Sequence, residues 1–349
     1  MKKIPLIGIM VSKGKDLKPI LQTYERYKGR LPVRLFTFTP QDIHWKKRTI
    51  RGLCLENKMW IKRRFRFPDA IYNRCYQKEN QMVQRLETYL GPHKCFNRVT
   101  RIDKWQLYTE LINSDLYQYV PETSIYHPDQ LRGLLQEEKP LILKPCFGNQ
   151  GKKVYMVEKT EQHLFKIYED TFTPLYTSYN VNGFFQEIGQ LVAKKKFLIQ
   201  RMIYFARVDD KVVDFRILVQ KEATGCWKIT KGISRIAPYH FYITNRAESI
   251  HEMDEVLEAL SCPSSDYESL YQKISLISIR IAQLLDERIG LLGEIGIDLA
   301  IDRDGDLWII EVNGKPQKSI YLKLKGEQRV GIDSVYKFPL EYAYYLSQT

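Results

Sequence analysis

The sequence predicts a mixed α/β protein of the α+β kind, and three observations indicate this class. Short apolar runs at residues 4–11 and 33–39 are typical of buried strands. Apolar residues recur at helical spacing between residues 266 and 288. Directly afterwards, residues 293–316 hold two alternating apolar runs separated by Asp304-Gly305, which is a strong hairpin signal. We therefore expect helices packed on sheets in two or three structural units.

The composition is that of a soluble globular protein. The 349 residues are 44% apolar and 27% charged. The six cysteines form no CxxC pair, so the sequence signals neither a zinc site nor a disulfide framework. The apolar run at residues 4–11 is short, contains Pro5 and is followed by no cleavage site, and no segment reaches the ~20 apolar residues of a membrane helix. We expect a cytoplasmic protein with no membrane span.

The net charge of +13 favours an anionic partner. Nucleotides, acidic peptides, wall polymers and nucleic acids all satisfy that condition. No recognised nucleic-acid-binding motif accompanies the charge, so we do not expect a nucleic acid to be the partner.

The first 95 residues predict a small α/β domain. Strands are expected at residues 4–11, 33–39 and 70–73, and the basic and aromatic stretch 41–68 is expected to form hairpins at a sheet edge. Gly91-Pro92 is a turn signal and marks a domain boundary. Residues 96–349 then form a second, larger domain.

The second domain begins with a helix and continues with hairpins. Thr100 and Asp103 have the spacing of a capping box, which predicts a helix start at Thr100. Strands at 141–147 and 154–158 flank a loop with two glycines and two lysines, where backbone amides are able to approach a phosphate. The other expected elements are a hairpin of strands 197–208 and 211–220, a strand at 226–236, a loop with a short helix at 245–266, and a helix at 266–288.

One face of strand 211–220 carries Asp214 and Arg216, whereas the other face is apolar. Such a half-polar face is typical of a pocket wall. A surface face on which Arg216 pairs with Asp214 is the alternative.

A two-residue turn at Asp304-Gly305 fixes a register for the last hairpin. Counting outward pairs Asp298 with Glu311 and Gly296 with Asn313. The same count pairs three apolar positions, namely Ile301 with Trp308, Leu299 with Ile310, and Ile297 with Val312. Opposed carboxylates destabilise a strand pair, and a bound Mg²⁺ would remove that cost. An exposed acidic patch is the alternative.

The ordered set of a helix lysine, a strand lysine before a glycine loop, a long strand and a final D…ExN resembles the ATP-grasp superfamily. Within it, residues 95–345 resemble the YheC/YheD family of endospore-coat-associated proteins. The resemblance implies an ATP-grasp fold at residues 96–349 behind a small N-terminal α/β (pre-ATP-grasp) domain at residues 1–95. It places the nucleotide site between the two subdomains of the larger domain.

The resemblance also implies roles for individual residues. Lys104 matches the first ATP-grasp lysine, which contacts the nucleotide phosphates, and Lys144 matches the second, beside the adenine and the α-phosphate. Lys144 and Arg216 match catalytic positions. Arg216 would stabilise the transferred phosphoryl charge. The loop over the phosphates is matched by Gly148, Asn149, Gln150 and Gly151. The hinge that reads adenine is matched by Gln200, Arg201, Met202 and Ile203, and the Mg²⁺ site is matched by Asp298, Glu311 and Asn313.

The activity implied is an ATP- and Mg²⁺-dependent ligase reaction, in which a carboxylate is phosphorylated and then attacked by an amine or a similar nucleophile. The expected substrate is acidic or peptide-like, and the family implies spore coat proteins as partners and a place in the mother-cell cytoplasm or the spore coat. A nucleotide-binding or structural coat protein that keeps the fold without turnover is the alternative. The loop sequence GNQGKK and the segment RAES after Asn245, both departures from the family pattern, favour that alternative.

Overall fold

The computed structural model describes residues 4–76, 81–148, 152–260, 267–325 and 330–349. The strands are β1 Leu6–Met10, β2 Arg34–Phe38, β3 Ile43–His44, β4 Thr49–Glu56, β5 Met59–Arg66, β6 Ala70–Asn73, β7 Cys95–Phe96, β8 Thr123–Ile125, β9 Leu141–Pro145, β10 Tyr155–Lys159, β11 Phe165–Glu169, β12 Pro174–Ser178, β13 Phe197–Arg201, β14 Arg207–Val208, β15 Lys211–Lys221, β16 Trp227–Ile236, β17 Ser249–Glu252, β18 Glu294–Ile301 and β19 Leu307–Asn313. The helices are α1 Leu17–Tyr27, α2 Gln81–Leu90, α3 Lys104–Ile112, α4 Pro128–Leu134, α5 Val181–Val192, α6 Met253–Ala259, α7 Tyr267–Ile289 and α8 Ile332–Gln348.

The strands form three sheets. The first sheet has the order β3-β4-β2-β1-β6-β7, with β5 paired to β4, and its central strands are parallel. The second sheet, β12-β11-β10-β9-β13-β8, and the third, β17-β16-β15-β18-β19 with β14 paired to β15, are antiparallel. The predicted mixed α/β class is confirmed, whereas the proposed boundary at residue 95 remains a prediction. No helix of the described ranges is long and apolar enough to cross a membrane.

Helix α8 packs on the first sheet although it is the last element in the chain. Val335, Tyr336 and Leu340 share one buried cluster with Ile7 and Ile9 of β1. The core of the N-terminal unit is therefore completed by the far end of the sequence.

In the last hairpin, the pairs far from the turn have the predicted register, whereas the pairs next to the turn do not. Gly296 pairs with Asn313, Ile297 with Val312 and Asp298 with Glu311, as expected. Beyond a bulge, however, Leu299 pairs with Ile309 and Ile301 with Leu307, so the predicted pairs of Leu299 with Ile310 and Ile301 with Trp308 are wrong.

The physical reason is the length of the turn. Asp302 and Asp306 are joined by a backbone hydrogen bond, so the loop holds three residues rather than two, with Gly305 at a φ of +90°. The longer loop shifts the register by one residue, and the bulge at Ile310 restores it before Glu311. Ile310 consequently faces away from the apolar side of the hairpin and towards the cleft described below.

The predicted strand 197–208 is two strands in two sheets. β13 ends at Arg201 and belongs to the second sheet, while β14 begins at Arg207 and pairs with β15 in the third. The connection at 202–206 therefore links the two sheets. The predicted turn at Asp209 and Asp210 is confirmed, since both residues have positive φ.

Two further predictions need correction. Helix α3 begins at Lys104, and its cap is Asp103, whose carboxylate accepts from the amides of Trp105 and Gln106. Thr100 instead donates its hydroxyl hydrogen to the carbonyl of Cys75 at 2.5 Å. In the predicted loop at 245–266, Ser249–Glu252 pairs with β16 as a strand, because it completes the edge of the third sheet.

A buried charge cluster joins the first sheet to the third. Glu294 of β18 is 1% exposed, and its carboxylate lies 2.6 Å from the Lys318 ammonium and 3.7 Å from the Arg74 guanidinium. The hydroxyls of Tyr24 and Tyr72 each lie 3.1 Å from the Lys318 Nζ. We call these five residues the Glu294 cluster. Burial opposes ionisation, but Lys318 and Arg74 outweigh it and lower the pKa of Glu294.

Candidate functional site

A cleft opens between the second and third sheets. It holds about 860 Å³ of empty space including its open mouth. Both sheets and the connection between them supply its walls. The walls include nine of the fourteen predicted site residues, which are Lys104, Lys144, Gly148, Gln200, Arg201, Met202, Ile203, Asp298 and Glu311.

Lys144 lies at the base of the cleft on β9, and its side chain has no carboxylate partner among the described residues. The residue is 8% exposed. Its ammonium donates to the side-chain oxygen of Gln200 at 2.8 Å and to the carbonyl of Ile310 at 3.5 Å. Burial, assisted by the charge of Lys104, lowers the pKa of Lys144 to about 8. An anion in the cleft would therefore bind a cation that has no carboxylate within ion-pair distance among the described residues.

Gln200 orients this lysine. Its amide nitrogen donates to the Thr123 hydroxyl at 2.7 Å, which directs the amide oxygen towards Lys144. The residue sits on β13, directly beside β9 in the sheet. Gln200 was predicted from the resemblance as part of the hinge, and the structure gives its side chain a positioning contact.

Lys104 enters the cleft from the first turn of α3. The amide of Lys104 donates to the carbonyl of Cys146 at 3.0 Å, which ties the start of the helix to the chain just after β9. The Lys104 ammonium lies 2.8 Å from Oε1 of Glu311. Both side chains are partly accessible, so this pair differs from Lys144 in being compensated and open to exchange.

On the third sheet, two carboxylates alternate with two guanidinium groups. Arg216 holds Asp298 through two hydrogen bonds of 2.7 and 2.6 Å. Arg235 of β16 bonds to both oxygens of Asp214 and lies 3.0 Å from Asp298. Burial opposes ionisation of Asp298, but Arg216 and Arg235 lower its pKa to about 2. The alternative pairing of Arg216 with Asp214 is not the one observed.

The hinge contributes one free backbone donor. The amide of Arg201 donates to the carbonyl of Glu122 and that of Met202 to Pro140, at 3.0 and 3.2 Å. Among the residues that the structure describes, the amide of Ile203 donates to no protein acceptor. The Arg201 side chain points to the surface, where it pairs with Glu122 and Glu137.

Five predicted residues are not among the described residues that line the cleft. Asn149, Gln150 and Gly151 lie outside the described residues. Asn313 is half-buried, two residues beyond Glu311 on the same side of β19 and opposite Gly296. Arg216 is not in the cleft wall either, but it touches the cleft through Asp298.

Mg²⁺ fits this donor set in part. Glu311 and Asn313 supply a carboxylate and an amide oxygen, which are hard ligands, and Oε2 of Glu311 has no partner among the described residues. Asp298 is committed to two arginines. Within the described ranges, no group of three His, Cys, Asp or Glu side chains is close enough to hold a metal. Protein cations therefore relieve the opposed carboxylates for which we predicted a metal.

Sequence reasoning missed Arg235 and the wall formed by Tyr242, Ile243 and Thr244, whereas Asp214 lies in the cleft as its half-polar strand face indicates. Arg235 had a detectable signal. It lies opposite Asp214 on the neighbouring strand, and a buried cross-strand pair of this kind is expected once β15 and β16 are recognised as adjacent. The segment 242–244 follows β16 with no pattern that marks it.

Comparison with known proteins supports the fold and the family. The family model "YheC/D like ATP-grasp" matches residues 93–346. The chain is 25% identical to the endospore coat-associated protein YheC of Bacillus subtilis (strain 168) over 90% of this chain and 88% of that protein. It is 26% identical to YheD of the same organism over 90% and 70%. The structure of a D-alanine–D-alanine ligase from Bacillus anthracis complexed with ATP superposes with a TM-score of 0.55 at 14% identity, over 99% of this chain and 97% of that one.

Proposed function

This chain belongs to the YheC/D-like ATP-grasp family, and we propose that it binds ATP in the cleft between its second and third sheets. The observation that carries this proposal is Lys144. A buried ammonium without a counter-ion is costly, and a nucleotide phosphate would supply the missing charge through a charge-assisted hydrogen bond.

The neighbouring residues suit the rest of a nucleotide. Lys104 would exchange Glu311 for a phosphate oxygen, since both members of that pair are accessible. At the other end, the unbonded amide of Ile203 and the apolar side chains of Ile142 and Met202 would receive the adenine edge and its flat face. The residues 148–151 would lie over the phosphates.

We propose that two of the three predicted metal ligands bind Mg²⁺ directly and that the third joins them only after a rearrangement. Glu311 and Asn313 would hold Mg²⁺, and Asp298 would join them after giving up a contact with Arg235 or Arg216. When bound, the ion would neutralise phosphate charge during phosphoryl transfer. Arg216 would then turn towards the transferred phosphoryl group as the catalytic arginine.

The reaction we propose is that of an ATP-dependent ligase. A substrate carboxylate is phosphorylated, and an amine or a similar nucleophile displaces the phosphate. The substrate would be acidic or peptide-like, in keeping with the net charge of +13. Because YheC and YheD are described as endospore coat-associated, we propose a role in forming the spore coat or envelope, in the mother-cell cytoplasm or in the coat.

One observation favours a second candidate, a protein that binds nucleotide without turnover. Both oxygens of Asp298 are bound by arginines in a bidentate arrangement, and a metal would have to displace a strong pair. A scaffold of this kind would bind ATP but form no ADP with any acceptor.

Calorimetric titration of ATP, with and without Mg²⁺, tests the proposal. We expect Mg²⁺ to tighten ATP binding to the wild type. Glu311→Gln keeps the shape of the side chain but removes its charge, and we expect the gain in ATP affinity caused by Mg²⁺ to be at least tenfold smaller in this variant. Glu248→Gln, at an exposed pair with Lys211, is the control and should bind as the wild type does. Absence of ATP binding to the wild type would overturn the proposal, and ADP formation in a screen of acceptors would separate the ligase from the scaffold.

A further inference from the structure

Two cations without an ion-pair partner among the described residues lie between the first sheet and the cleft. They are Arg101, in the segment before α3, and Lys315, just after β19. Both are partly buried. Among the described residues neither forms an ion pair, although most of the partly buried arginines nearby do, as Arg98 does with Glu87.

The backbone segments that carry Arg101 and Lys315 are in direct contact. Gly314 packs so closely on the segment before Arg101 that a Cβ there would lie 2.9 Å from the carbonyl of Val99 and 3.2 Å from the Cα of Thr100. Arg101 and Lys315 are the next residues on the two segments. Only a residue without a side chain at position 314 allows these segments to meet.

Arg101 is held in place by rings instead of by a carboxylate. Its guanidinium carbon lies 4.6 Å from the centre of the Phe147 ring and 5.7 Å from that of Tyr76. Its Nε is buried and has no acceptor in the described part of the chain. A guanidinium fixed on aromatic faces keeps its donors available and loses little freedom on binding an anion.

Lys315 lies near groups of both charges, and no carboxylate among the described residues forms an ion pair with it. The charged and titratable groups that act on it are Arg74, Cys75, Asp16 and Glu294. Glu294 is already paired with Lys318 at 2.6 Å, and Asp16 makes no ion pair with Lys315.

The first sheet brings its own donors to the same place. Strands β1 and β6 are parallel neighbours, and from their carboxyl ends the chain continues to β2 on one side and to β7 on the other. Ligands bind at such points in open parallel sheets. Ser12 follows β1, and its hydroxyl oxygen accepts from the amide of Tyr76 at 3.1 Å, next to the ring on which Arg101 rests.

The position relative to the cleft is also defined. Glu311 and Asn313 share one side of β19, and Lys315 follows two residues beyond the end of that strand. Phe147, beneath Arg101, directly precedes Gly148 of the cleft wall. A substrate that reacts near Glu311 would therefore extend towards these two cations.

We propose that Arg101 and Lys315 form an anion-binding subsite that holds a second acidic group of the substrate, a carboxylate or a phosphate, away from the reacting carboxyl group. The subsite rests on the proposed function only in treating the bound anion as part of the substrate. It defines the substrate class as one with at least two anionic groups, such as a dicarboxylate or an acidic peptide.

The test measures how inorganic phosphate and glutarate raise the Tm, in the wild type and in Lys144→Met, where the nucleotide cleft has lost its central cation. We expect saturable stabilisation in both, with the apparent affinity reduced at least tenfold by Arg101→Met and by Lys315→Met. Lys62→Met removes an exposed lysine that forms no ion pair in the described ranges and should change nothing. The stronger of the two probes identifies the anionic group as phosphate or carboxylate.

The subsite is overturned if neither probe binds saturably, or if Arg101→Met and Lys315→Met respond as Lys62→Met does. Lys315 is only partly buried and lies outside any strand, so its variant keeps the test valid if Arg101→Met fails to fold. ATP titrations separate the two proposals. We expect both variants to bind ATP with an affinity within twofold of that of the wild type. A wild type that binds phosphate through Arg101 but does not bind ATP would support the subsite and overturn the proposal of a nucleotide site.

Discussion

Two buried lysines in this protein have opposite surroundings. Lys318 in the Glu294 cluster is 3% exposed and lies 2.6 Å from a buried carboxylate, with two tyrosine hydroxyls at 3.1 Å. Lys144 in the cleft is 8% exposed and meets only an amide oxygen and a backbone carbonyl. A third buried lysine, Lys221, follows the first pattern, since it lies 2.6 Å from Asp286.

The difference distinguishes a buried lysine that stabilises the fold from one whose surroundings suit a ligand. A buried cation that is matched inside the protein stabilises one arrangement of the chain, here the contact between the first and third sheets. A buried cation that is left unmatched raises the free energy of the folded protein and is retained where a ligand completes it. Perturbed surroundings alone do not identify a site, and the absence of an internal partner is the more informative observation.

Removing Lys318 should produce the largest effect. In Lys318→Met the buried carboxylate of Glu294 loses its nearest cation, and breaking a buried pair in this way costs about 3–5 kcal/mol of unfolding free energy. Urea denaturation measures the loss. Lys337→Met, which breaks an exposed pair on α8, should cost about 0.5 kcal/mol or less, and equal losses in the two variants would contradict the contrast between buried and exposed pairs.

Removing Lys144 should act in the opposite direction. A pKa lowered from 10.5 to about 8 corresponds to roughly 3 kcal/mol of unfavourable charge burial at neutral pH, so Lys144→Met should raise the unfolding free energy by about 1–3 kcal/mol. The same variant should weaken ATP binding by about 100-fold or more. Denaturation and calorimetry at pH 7 check the two effects together, and a destabilised variant would show that Lys144 serves the fold.

The pH dependence of ATP affinity sharpens the comparison further. The free protein loses the Lys144 proton above pH 8, whereas a bound phosphate would hold that proton, so ATP binding takes up a proton in this range. Affinity should fall by about fivefold from pH 8 to pH 9. An affinity that stays constant over this interval would exclude Lys144 as the phosphate ligand.

For unfolding the sign is reversed. Between pH 8 and 10.5 the unfolded chain binds more protons at Lys144 than the folded protein does, so this group makes the unfolding free energy rise with pH. Lys144→Met should lack that rise when the two proteins are denatured at pH 8 and pH 10.

The smallest effect is expected at the surface of the hinge. The Arg201 side chain is 37% exposed, and its partners Glu122 and Glu137 are 65% and 45% exposed. Arg201→Met should change stability by less than about 1 kcal/mol and ATP affinity by less than about twofold, because the hinge would act through the Ile203 amide. A tenfold loss of affinity by calorimetry would instead assign the Arg201 side chain to the nucleotide.

Local patterns in the sequence predict much of the fold. Alternation places Val213, Phe215, Ile217 and Val219 on the buried side of β15, and all four lie in one core cluster. The pairing of Asp298 with Glu311 also follows from the pattern, although a three-residue turn and a bulge cancel one another before it. The correct outer register therefore rests on two compensating irregularities that residue spacing does not reveal.

The electrostatic partners follow from contacts between distant segments and are harder to predict. Lys144 is recognisable as a buried strand lysine, but its lack of a carboxylate depends on which side chains approach from β13 and β19. Glu294 gave no functional signal, and its five-residue cluster draws on parts of the chain up to 294 residues apart. The break between β13 and β14 is likewise decided by the two sheets that the strands join.

The packing of α8 on β1 has a consequence for synthesis. The first sheet leaves the ribosome about 300 residues before the helix that covers it, which at ~5–20 residues per second is a delay of roughly 15–60 s. During that interval Ile7 and Ile9 have no Leu340 to pack against, and Arg74 has no Glu294. The nascent N-terminal unit consequently leaves part of its core uncovered until α8 has been synthesised.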